Sequence, residues 1–146
     1  MRLPRYDYAQ TAVYFVTFCT EQRQRILCRI AEEEPPAVYL TNLGRVLRKN
    51  IDAIPEHYPG VQVVHYAIMP DHVHLLLALG CVDQTKQNTK LSTIVGSLKA
   101  MVTRQTGQNI WQRSYYDHVI RNQKDFEEIY YYIGNNPRKW LLDGKG

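Results

Sequence analysis

The sequence predicts an α+β fold in which an antiparallel β-sheet carries α-helices. Runs rich in β-branched and aromatic residues, typical of strands, alternate with segments whose apolar residues recur at helical spacing. Their order along the chain is strand, helix, strand, strand, helix, strand, helix. Right-handed crossovers fold such a chain into a ferredoxin-like antiparallel sheet with helices packed on one face, followed here by a C-terminal helix.

The N-terminal part of the chain predicts one strand and one helix. Val13 to Cys19 is aromatic and β-branched, which indicates a strand buried on at least one face. Residues 20–37 are predicted to be irregular, because they include an acidic run and two adjacent prolines. Residues 41–54 have apolar side chains at helical spacing, with Thr41 or Asn42 as the N-cap and Pro55 ending the helix.

A β-hairpin and a second helix follow. The runs Val61 to Ile68 and His72 to Leu79 are predicted to be strands, and Met69-Pro70-Asp71 is predicted to be the turn between them. Apolar residues from Leu91 to Val102 recur at helical spacing and predict the second helix.

The C-terminal part predicts a fourth strand, Trp111 to Arg121, and a last helix. Asp125 and Glu128 have the spacing of a capping box, which would open this helix over Phe126 to about Asn135. Pro137 is expected to end it.

The composition fits a single globular domain, residues 1–146, because the chain has 146 residues of which 45% are hydrophobic and 22% charged. Cys19, Cys28 and Cys81 show no Cys-x-x-Cys spacing, which argues against a disulfide framework and a thiolate zinc site. The N-terminus lacks the apolar core of a signal peptide, and no apolar run is long enough to cross a bilayer. We therefore expect a reduced, cytoplasmic protein without a membrane partner.

Positive charge is concentrated in the C-terminal part of the chain. The net charge is +4, and residues 85–146 hold 10 Lys and Arg against 5 Asp and Glu. A face that binds a polyanion leaves such an asymmetry, and a solvated basic surface explains it equally well.

The His72-Val73-His74 motif places two imidazoles on one face of a predicted strand, because side chains alternate along a strand. Two such rings can hold one metal ion, although paired histidines also occur harmlessly on half-exposed strands. The turn before the pair and the apolar run after it favour the metal site.

The predicted last helix adds a nucleophile and a further oxygen donor. Tyr132 and Asn136 are four residues apart and therefore share one helical face. Together with the two histidines they supply a hydroxyl and three ligands, the set that phosphodiester cleavage by a covalent tyrosine route requires. Imidazole nitrogen with amide oxygen suits Mn²⁺ and would also accept Ni²⁺, Co²⁺ or Zn²⁺.

Several motifs resemble those of the HUH single-tyrosine transposases, and most of all the REP-associated tyrosine transposases. The motifs are Met69-Pro70 with His72-Val73-His74, the stretch Ile110 to Asn122, the stretch Tyr132 to Trp140, and Tyr14 to Phe18 followed by Arg23 to Leu27. The similarity therefore covers nearly the whole chain, and the separate motifs occur in the expected order.

The resemblance implies a ferredoxin-like enzyme that cuts single-stranded DNA near hairpins, with Mg²⁺ or Mn²⁺ as cofactor. Cleavage would form a 5′-phosphotyrosine and release a 3′-hydroxyl. His72 and His74 match the metal-binding histidines, Tyr132 matches the nucleophile, and Asn136 stands where some relatives have a metal-binding glutamine. The protein is expected to act as a monomer or a homodimer.

Six basic residues are candidates for contact with DNA phosphates: Lys99, Arg104, Arg113, Arg121, Arg138 and Lys139. Two other functions stay open from the sequence. One is a non-catalytic module that binds single-stranded RNA or DNA on its sheet. The other is a small metallohydrolase that uses metal-bound water, which would keep its activity in a Tyr132→Phe variant.

Overall fold

The structure is a computed structural model that describes residues 3–80 and 90–144. Within these residues the strands are β1 (Ala12–Cys19), β2 (Cys28–Ala31), β3 (Ala37–Leu40), β4 (Val61–Ile68), β5 (His72–Leu79) and β6 (Tyr116–Ile120). The α-helices are α1 (Asn42–Asp52), α2 (Ile54–His57), α3 (Leu91–Thr106), α4 (Gln123–Gly134) and α5 (Asn136–Asp143).

Four strands form the main sheet in the order β4, β5, β1, β6, and all neighbours are antiparallel. This arrangement, with α1 and α3 as the crossovers, confirms the predicted ferredoxin-like fold. The hairpin of β4 and β5 has the predicted bounds, and the Met69 amide donates to the His72 carbonyl oxygen across the turn at 2.8 Å.

Both faces of the main sheet are covered. Val16, Val73 and Leu75 point to one face, where they pack with residues of α1 and α3. Side chains from the alternate positions of the same strands, such as Phe15 and Leu76, pack with α4 on the opposite face. The prediction placed the helices on one face, whereas the last helix in fact covers the other, so residues 72–78 of β5 are all buried.

The prediction that residues 20–37 are irregular is wrong for part of this segment. Residues 21–23 form a 3₁₀ turn, and β2 pairs with β3 in a separate two-stranded hairpin. The strands have only four residues each, and Val38 and Tyr39 face solvent at 38% and 46% exposure. The apolar alternation that marks a half-buried strand is therefore missing from the sequence.

Thr41 is the N-cap of α1, as predicted, because its side chain accepts a hydrogen bond from the Gly44 amide at 3.1 Å. Pro55 does not end this helix. It lies in the first turn of the short helix α2, a position where proline is tolerated because the amide would have no helical partner.

The C-terminal elements differ from the prediction at their ends. The fourth strand of the main sheet begins at Tyr116, and Trp111 makes only an isolated bridge to Thr20. The N-cap of α4 is Asn122, whose side chain accepts a hydrogen bond from the Asp125 amide, so Asp125 does not open a capping box. Pro137 does not end the last helix of the described residues but lies in the first turn of α5, which begins at Asn136.

None of the helices in residues 3–80 and 90–144 is long and apolar enough to cross a membrane. Cys19 and Cys28 are free thiols, and Cys81 lies outside the described residues.

Candidate active site

The two histidines of the His-x-His motif begin β5 and point to the face that α4 covers. In the register with β1, His72 lies opposite Cys19 and His74 opposite Thr17. The ring centroids of the histidines are 4.8 Å apart, and the residues are 1% and 4% exposed. The strand thus holds two imidazoles side by side inside the protein.

Each imidazole uses its Nδ1 atom for a hydrogen bond within the protein. His72 Nδ1 lies 2.6 Å from Asp71 Oδ1, and His74 Nδ1 lies 2.7 Å from Thr17 Oγ1. The Nε2 atom of each ring is buried and has no hydrogen-bond partner among the described residues. Buried polar atoms are nearly always paired, so two unpaired ring nitrogens side by side require an explanation.

Asn136 adds a third buried atom of this kind. It is 0% exposed at the start of α5, and its Nδ2 donates to the Tyr132 carbonyl oxygen at 2.9 Å. Its Oδ1 has no hydrogen-bond partner in the described part of the chain. The Asn136 side chain lies near enough to both histidines to oppose the lowering of their pKa by burial.

Two imidazole nitrogens and one amide oxygen fit a divalent cation that accepts mixed ligands. Among the described residues, no group of three His, Cys, Asp and Glu side chains could hold a metal ion. A metal ion held by the two histidines would therefore need a donor of another kind, and the amide of Asn136 is a candidate.

Both rings are held in the neutral form that a metal ion requires. Burial lowers the pKa of His74 to about 3, and the neighbouring His72 adds to the effect. Burial also lowers the pKa of His72, although Asp71 and Asn136 oppose the shift. Neutral pH therefore leaves a lone pair on each ring.

Of the three consecutive tyrosines Tyr130, Tyr131 and Tyr132, it is Tyr132 whose ring lies next to the His-x-His motif. Its ring centroid lies 5.5 Å from that of His74, and it packs edge-on against Phe15 at 6.0 Å. Tyr130 instead packs on His65 at 4.5 Å, and Tyr131 is 58% exposed. The helical spacing that pairs Tyr132 with Asn136 in the sequence is thus realised across the junction of α4 and α5.

Side chains of helix α5 cover the site next to His72. The Trp140 ring lies 6.2 Å from the His72 ring, and the Arg25 guanidinium lies 4.8 Å above the Trp140 ring. The Lys139 ammonium lies 5.7 Å from the centre of the Tyr132 ring. One helix therefore supplies Asn136, a buried aromatic wall and a cation next to the tyrosine.

The structure separates the six predicted DNA-contacting residues into several places. Lys99, Arg104 and Arg113 line a groove of about 380 Å³ between α3 and the segment before β6. Within it, the Lys99 ammonium donates to the carbonyl oxygens of Gln112 and Ser114, both at 2.9 Å. Arg121 is exposed at the end of β6, and Arg138 forms an ion pair with Glu34 at 2.6 Å. Lys139 is the one of the six that lies against Tyr132.

Sequence reasoning missed three residues beside the histidines. Thr17 meets His74 through the pairing of β1 with β5, which the sequence does not specify. Arg23 reaches Asp71 from a segment predicted to be irregular. The sequence pattern assigns Asp71 only to the turn, although its position directly before His72 is a signal that it contacts the ring.

A family model described as transposase, IS200 like, matches residues 9–136. The chain belongs to the IS200-like transposase family.

Relatives and a solved structure agree with this assignment. The IS200-like transposase is 30% identical to an uncharacterised protein of Haemophilus influenzae, over 98% of this chain and 89% of that protein. It is 29% identical to a REP-associated tyrosine transposase of Escherichia coli, over 68% of this chain and 58% of that protein. A REP-associated tyrosine transposase solved with a REP hairpin superposes with a TM-score of 0.68 and 26% identity, over 95% of this chain and 74% of that one. The resemblance recognised in the sequence is therefore confirmed.

Proposed function

We propose that this IS200-like transposase cuts and rejoins single-stranded DNA at hairpins through a covalent bond between Tyr132 and a 5′-phosphate. The observation that carries the proposal is a set of three buried polar atoms near Tyr132 that have no hydrogen-bond partner among the described residues: His72 Nε2, His74 Nε2 and Asn136 Oδ1. A tyrosine next to a set of unpaired metal-binding atoms matches the requirements of phosphodiester transfer.

The three acceptor atoms would hold Mg²⁺ or Mn²⁺. Bound there, the cation would draw charge from the scissile phosphate and so stabilise the transition state. The nitrogen atoms favour Mn²⁺ over Mg²⁺, which prefers an all-oxygen set. Burial keeps the pKa of His74 low, at about 3, so protons do not compete for its Nε2 near neutral pH.

Tyr132 would carry out the covalent step. Its hydroxyl oxygen bonds to the phosphorus while the bond from phosphorus to the 3′-oxygen breaks, and the proton leaves the tyrosine as the 3′-hydroxyl gains one. The phosphotyrosine keeps the energy of the broken diester, so attack by another 3′-hydroxyl rejoins DNA without ATP.

Lys139 would assist this step from outside the donor set. Its ammonium lies 5.7 Å from the centre of the Tyr132 ring and would offer positive charge to the phosphate that the tyrosine attacks. Lys139 is exposed, so it is available to a strand that enters from solvent.

The DNA would run over basic side chains outside the site. The groove lined by Lys99, Arg104 and Arg113 would offer cations to phosphates, and Arg121 and Arg138 are exposed cations at other places on the surface. A related transposase has been solved with a REP hairpin, which supports a hairpin as the partner. All the proposed site residues lie on one chain, and we propose a cytoplasmic enzyme that acts as a monomer or a homodimer.

The test is covalent capture of labelled hairpin DNA with Mn²⁺, resolved on a denaturing gel. Wild type should give a protein–DNA band, and Tyr132→Phe should lose it while still binding DNA. Tyr131→Phe is the matched control, because Tyr131 is the adjacent tyrosine and is 58% exposed. Its band should equal that of wild type.

Other outcomes separate the alternative functions. Cleavage that persists in Tyr132→Phe without a covalent band would indicate a metallohydrolase. Binding without cleavage by wild type, over a broad set of hairpins, would indicate a non-catalytic nucleic-acid module.

A further inference from the structure

Asp71 sits at the centre of a buried set of polar contacts directly before His72. The residue is 6% exposed, and its Oδ1 lies 2.6 Å from His72 Nδ1. Arg23 approaches the same carboxylate with two donors, Nε to Oδ2 at 3.1 Å and Nη2 to Oδ1 at 3.3 Å. This two-point contact fixes the plane of the carboxylate as well as its charge.

The carboxylate of Asp71 decides which ring nitrogen of His72 carries the proton. Arg23 contacts both oxygens of Asp71, with Nε on Oδ2 and Nη2 on Oδ1, which is the geometry of an arginine paired with an ionised carboxylate. An ionised carboxylate can only accept hydrogen bonds. His72 must therefore donate from Nδ1, which leaves the lone pair of the neutral ring on Nε2.

The backbone that presents Arg23 has an uncommon conformation. Gln22 and Arg23 have φ values of 55° and 54°, in the left-handed region that residues with a Cβ rarely occupy. Such backbones persist where the surrounding structure imposes them, and they cluster at functional sites. The conformation turns the Arg23 side chain back towards Asp71.

Thr20 ties this turn to Asp71 through the backbone. Its amide donates to the Asp71 carbonyl oxygen at 3.0 Å, and its hydroxyl donates to the Gln24 carbonyl oxygen at 2.7 Å. The Arg23 amide in turn donates to the Thr20 carbonyl oxygen at 3.1 Å. Main-chain hydrogen bonds therefore help to hold the Arg23 guanidinium against the Asp71 carboxylate, in addition to the direct contact between the two groups.

His74 differs, because its Nδ1 partner is the hydroxyl of Thr17 at 2.7 Å. A hydroxyl can donate or accept, so Thr17 does not by itself select a tautomer. The Nδ1 atoms of the two rings therefore have different kinds of partner. The carboxylate beside His72 selects one tautomer, whereas the hydroxyl beside His74 does not.

We propose that Arg23 and Asp71 are positioning residues that hold His72 in the tautomer whose Nε2 lone pair faces the site. The inference rests on the proposed function for the identity of the ligand, a divalent cation. Groups that orient a ligating histidine commonly contribute 10- to 100-fold to metal affinity.

The first test reads the tautomer without any metal. Long-range ¹H–¹⁵N spectra of histidine-labelled, chelator-treated protein should show the proton of His72 on Nδ1. In Asp71→Ala the acceptor is gone, and the Nε2–H form of His72 should appear. In Asp71→Asn the amide oxygen can still accept, so the Nδ1–H form should be partly retained.

The matched control is Asp125→Ala. Asp125 also binds a histidine on the main sheet, His118, with 2.8 Å between Oδ2 and Nε2, outside the proposed site. Its loss should leave the signals of His72 unchanged. A His72 ring with its proton on Nε2 in wild type, or on Nδ1 alone in Asp71→Ala, would overturn the proposal.

The second test is Mn²⁺ affinity by calorimetry for the same four proteins. Asp71→Ala should bind roughly 10- to 100-fold more weakly than wild type, Asp71→Asn should fall between them, and Asp125→Ala should match wild type. Equal affinity in wild type and Asp71→Ala would overturn the positioning role. If no protein binds Mn²⁺ while the tautomer still follows Asp71, the positioning role stands and the metal in the proposed function falls.

Discussion

The side-chain amide of Asn136 donates to the backbone carbonyl oxygen of Tyr132 at 2.9 Å, across the junction of α4 and α5. This bond identifies the nitrogen of the amide and so fixes where its oxygen points. The Oδ1 atom is left unpaired within the described residues, as is the Nε2 atom of both histidines. A single hydrogen bond thus links the orientation of the proposed third ligand to the backbone of the proposed nucleophile.

Asn136→Ala should remove most of the stabilisation that Mn²⁺ gives to the protein. A cation at about 100 times its dissociation constant adds roughly 2.7 kcal/mol to the free energy of unfolding. Without Asn136 Oδ1 the donor set falls from three atoms to two, and the added stability at the same Mn²⁺ concentration should largely disappear. Thermal denaturation with and without Mn²⁺ measures this difference.

The control for this variant is Asn135→Ala, one residue earlier. Asn135 is exposed, and its side chain does not cap α5. It should keep the full Mn²⁺ effect. Equal Mn²⁺ stabilisation in Asn136→Ala and wild type would show that the amide is not a ligand.

Gly44→Ala should destabilise the protein by roughly 1–3 kcal/mol or more, as overpacking does. A Cβ on Gly44 would overlap the backbone carbonyl oxygen of Leu27. That oxygen cannot move freely, because it accepts a hydrogen bond at 3.1 Å from the amide of Thr41, the N-cap of α1. Denaturant unfolding measures the loss.

A matched variant on another helix should have the opposite sign. Gly96 lies on the exposed side of α3, and a Cβ there would meet nothing within 4 Å. Gly96→Ala should therefore stabilise the protein by about 1 kcal/mol, the difference in helix propensity. If both variants destabilise the protein, the helices tolerate alanine poorly in general. The stability lost in Gly44→Ala would then not be explained by the contact with Leu27.

Cys28 should make the protein less stable in alkaline solution. Burial and the charge of Asp71 raise the pKa of Cys28 from 9.0 to about 12. The folded state then keeps a proton that the unfolded state loses, so stability is lost as pH rises from 9 towards 12. The slope from this one proton is about 1.4 kcal/mol per pH unit.

The contribution of Cys28 is obtained as a difference between two proteins. Tyrosines and lysines titrate in the same range, but they are common to wild type and Cys28→Ala. The stability advantage of wild type over the variant should be constant below about pH 9 and shrink above it. A constant advantage at every pH would contradict the raised pKa.

Arg113→Gln should weaken binding of hairpin DNA and reduce its dependence on salt. Removing one cation that neutralises a phosphate changes the slope of log affinity against log salt by about 0.9 for duplex DNA. Arg113 is exposed in the groove beside α3, where no carboxylate lines the walls formed by the described residues. Fluorescence anisotropy at several salt concentrations gives both quantities, and an unchanged slope would exclude Arg113 from the surface that binds DNA.

Two further variants calibrate that measurement. Lys49→Gln removes an exposed cation on α1, outside the proposed DNA-binding surface, and should leave the slope unchanged. Glu34→Gln breaks the ion pair that Glu34 forms with Arg138 at 2.6 Å and should strengthen DNA binding by freeing that guanidinium.

The sequence is sufficient to predict the main sheet because its strands carry strong apolar signals. It predicts the bounds of β4 and β5 fully, and the alternation along β5 places His72 and His74 on one face. It misses the β2–β3 hairpin because each strand has only four residues and the exposed side chains include Val38 and Tyr39, so apolar and polar residues do not alternate along the strands. Pro55 and Pro137 are poor markers of helix ends here, since proline is equally suited to the first turn of a new helix.

The site is predictable where its residues are close in sequence and not where strand register or loop geometry brings them together. The spacing of Tyr132 and Asn136 indicates a shared face, and the structure places both beside His74. Thr17 and Arg23 reach His74 and Asp71 from 57 and 48 residues away in the chain. Their contacts depend on the order of strands and on two left-handed residues, which no local pattern in the sequence specifies.

The main sheet separates two kinds of evolutionary pressure. One face packs against α1 and α3 through apolar contacts, and the other carries the histidines and receives α4. Substitutions on the first face should change the stability of the fold, while substitutions of the two histidines on the second face should change the proposed chemistry. Adjacent residues of one strand, such as Val73 and His74, can therefore be selected for different reasons. A lineage can lose its chemistry at the second face and still keep an intact, stable fold.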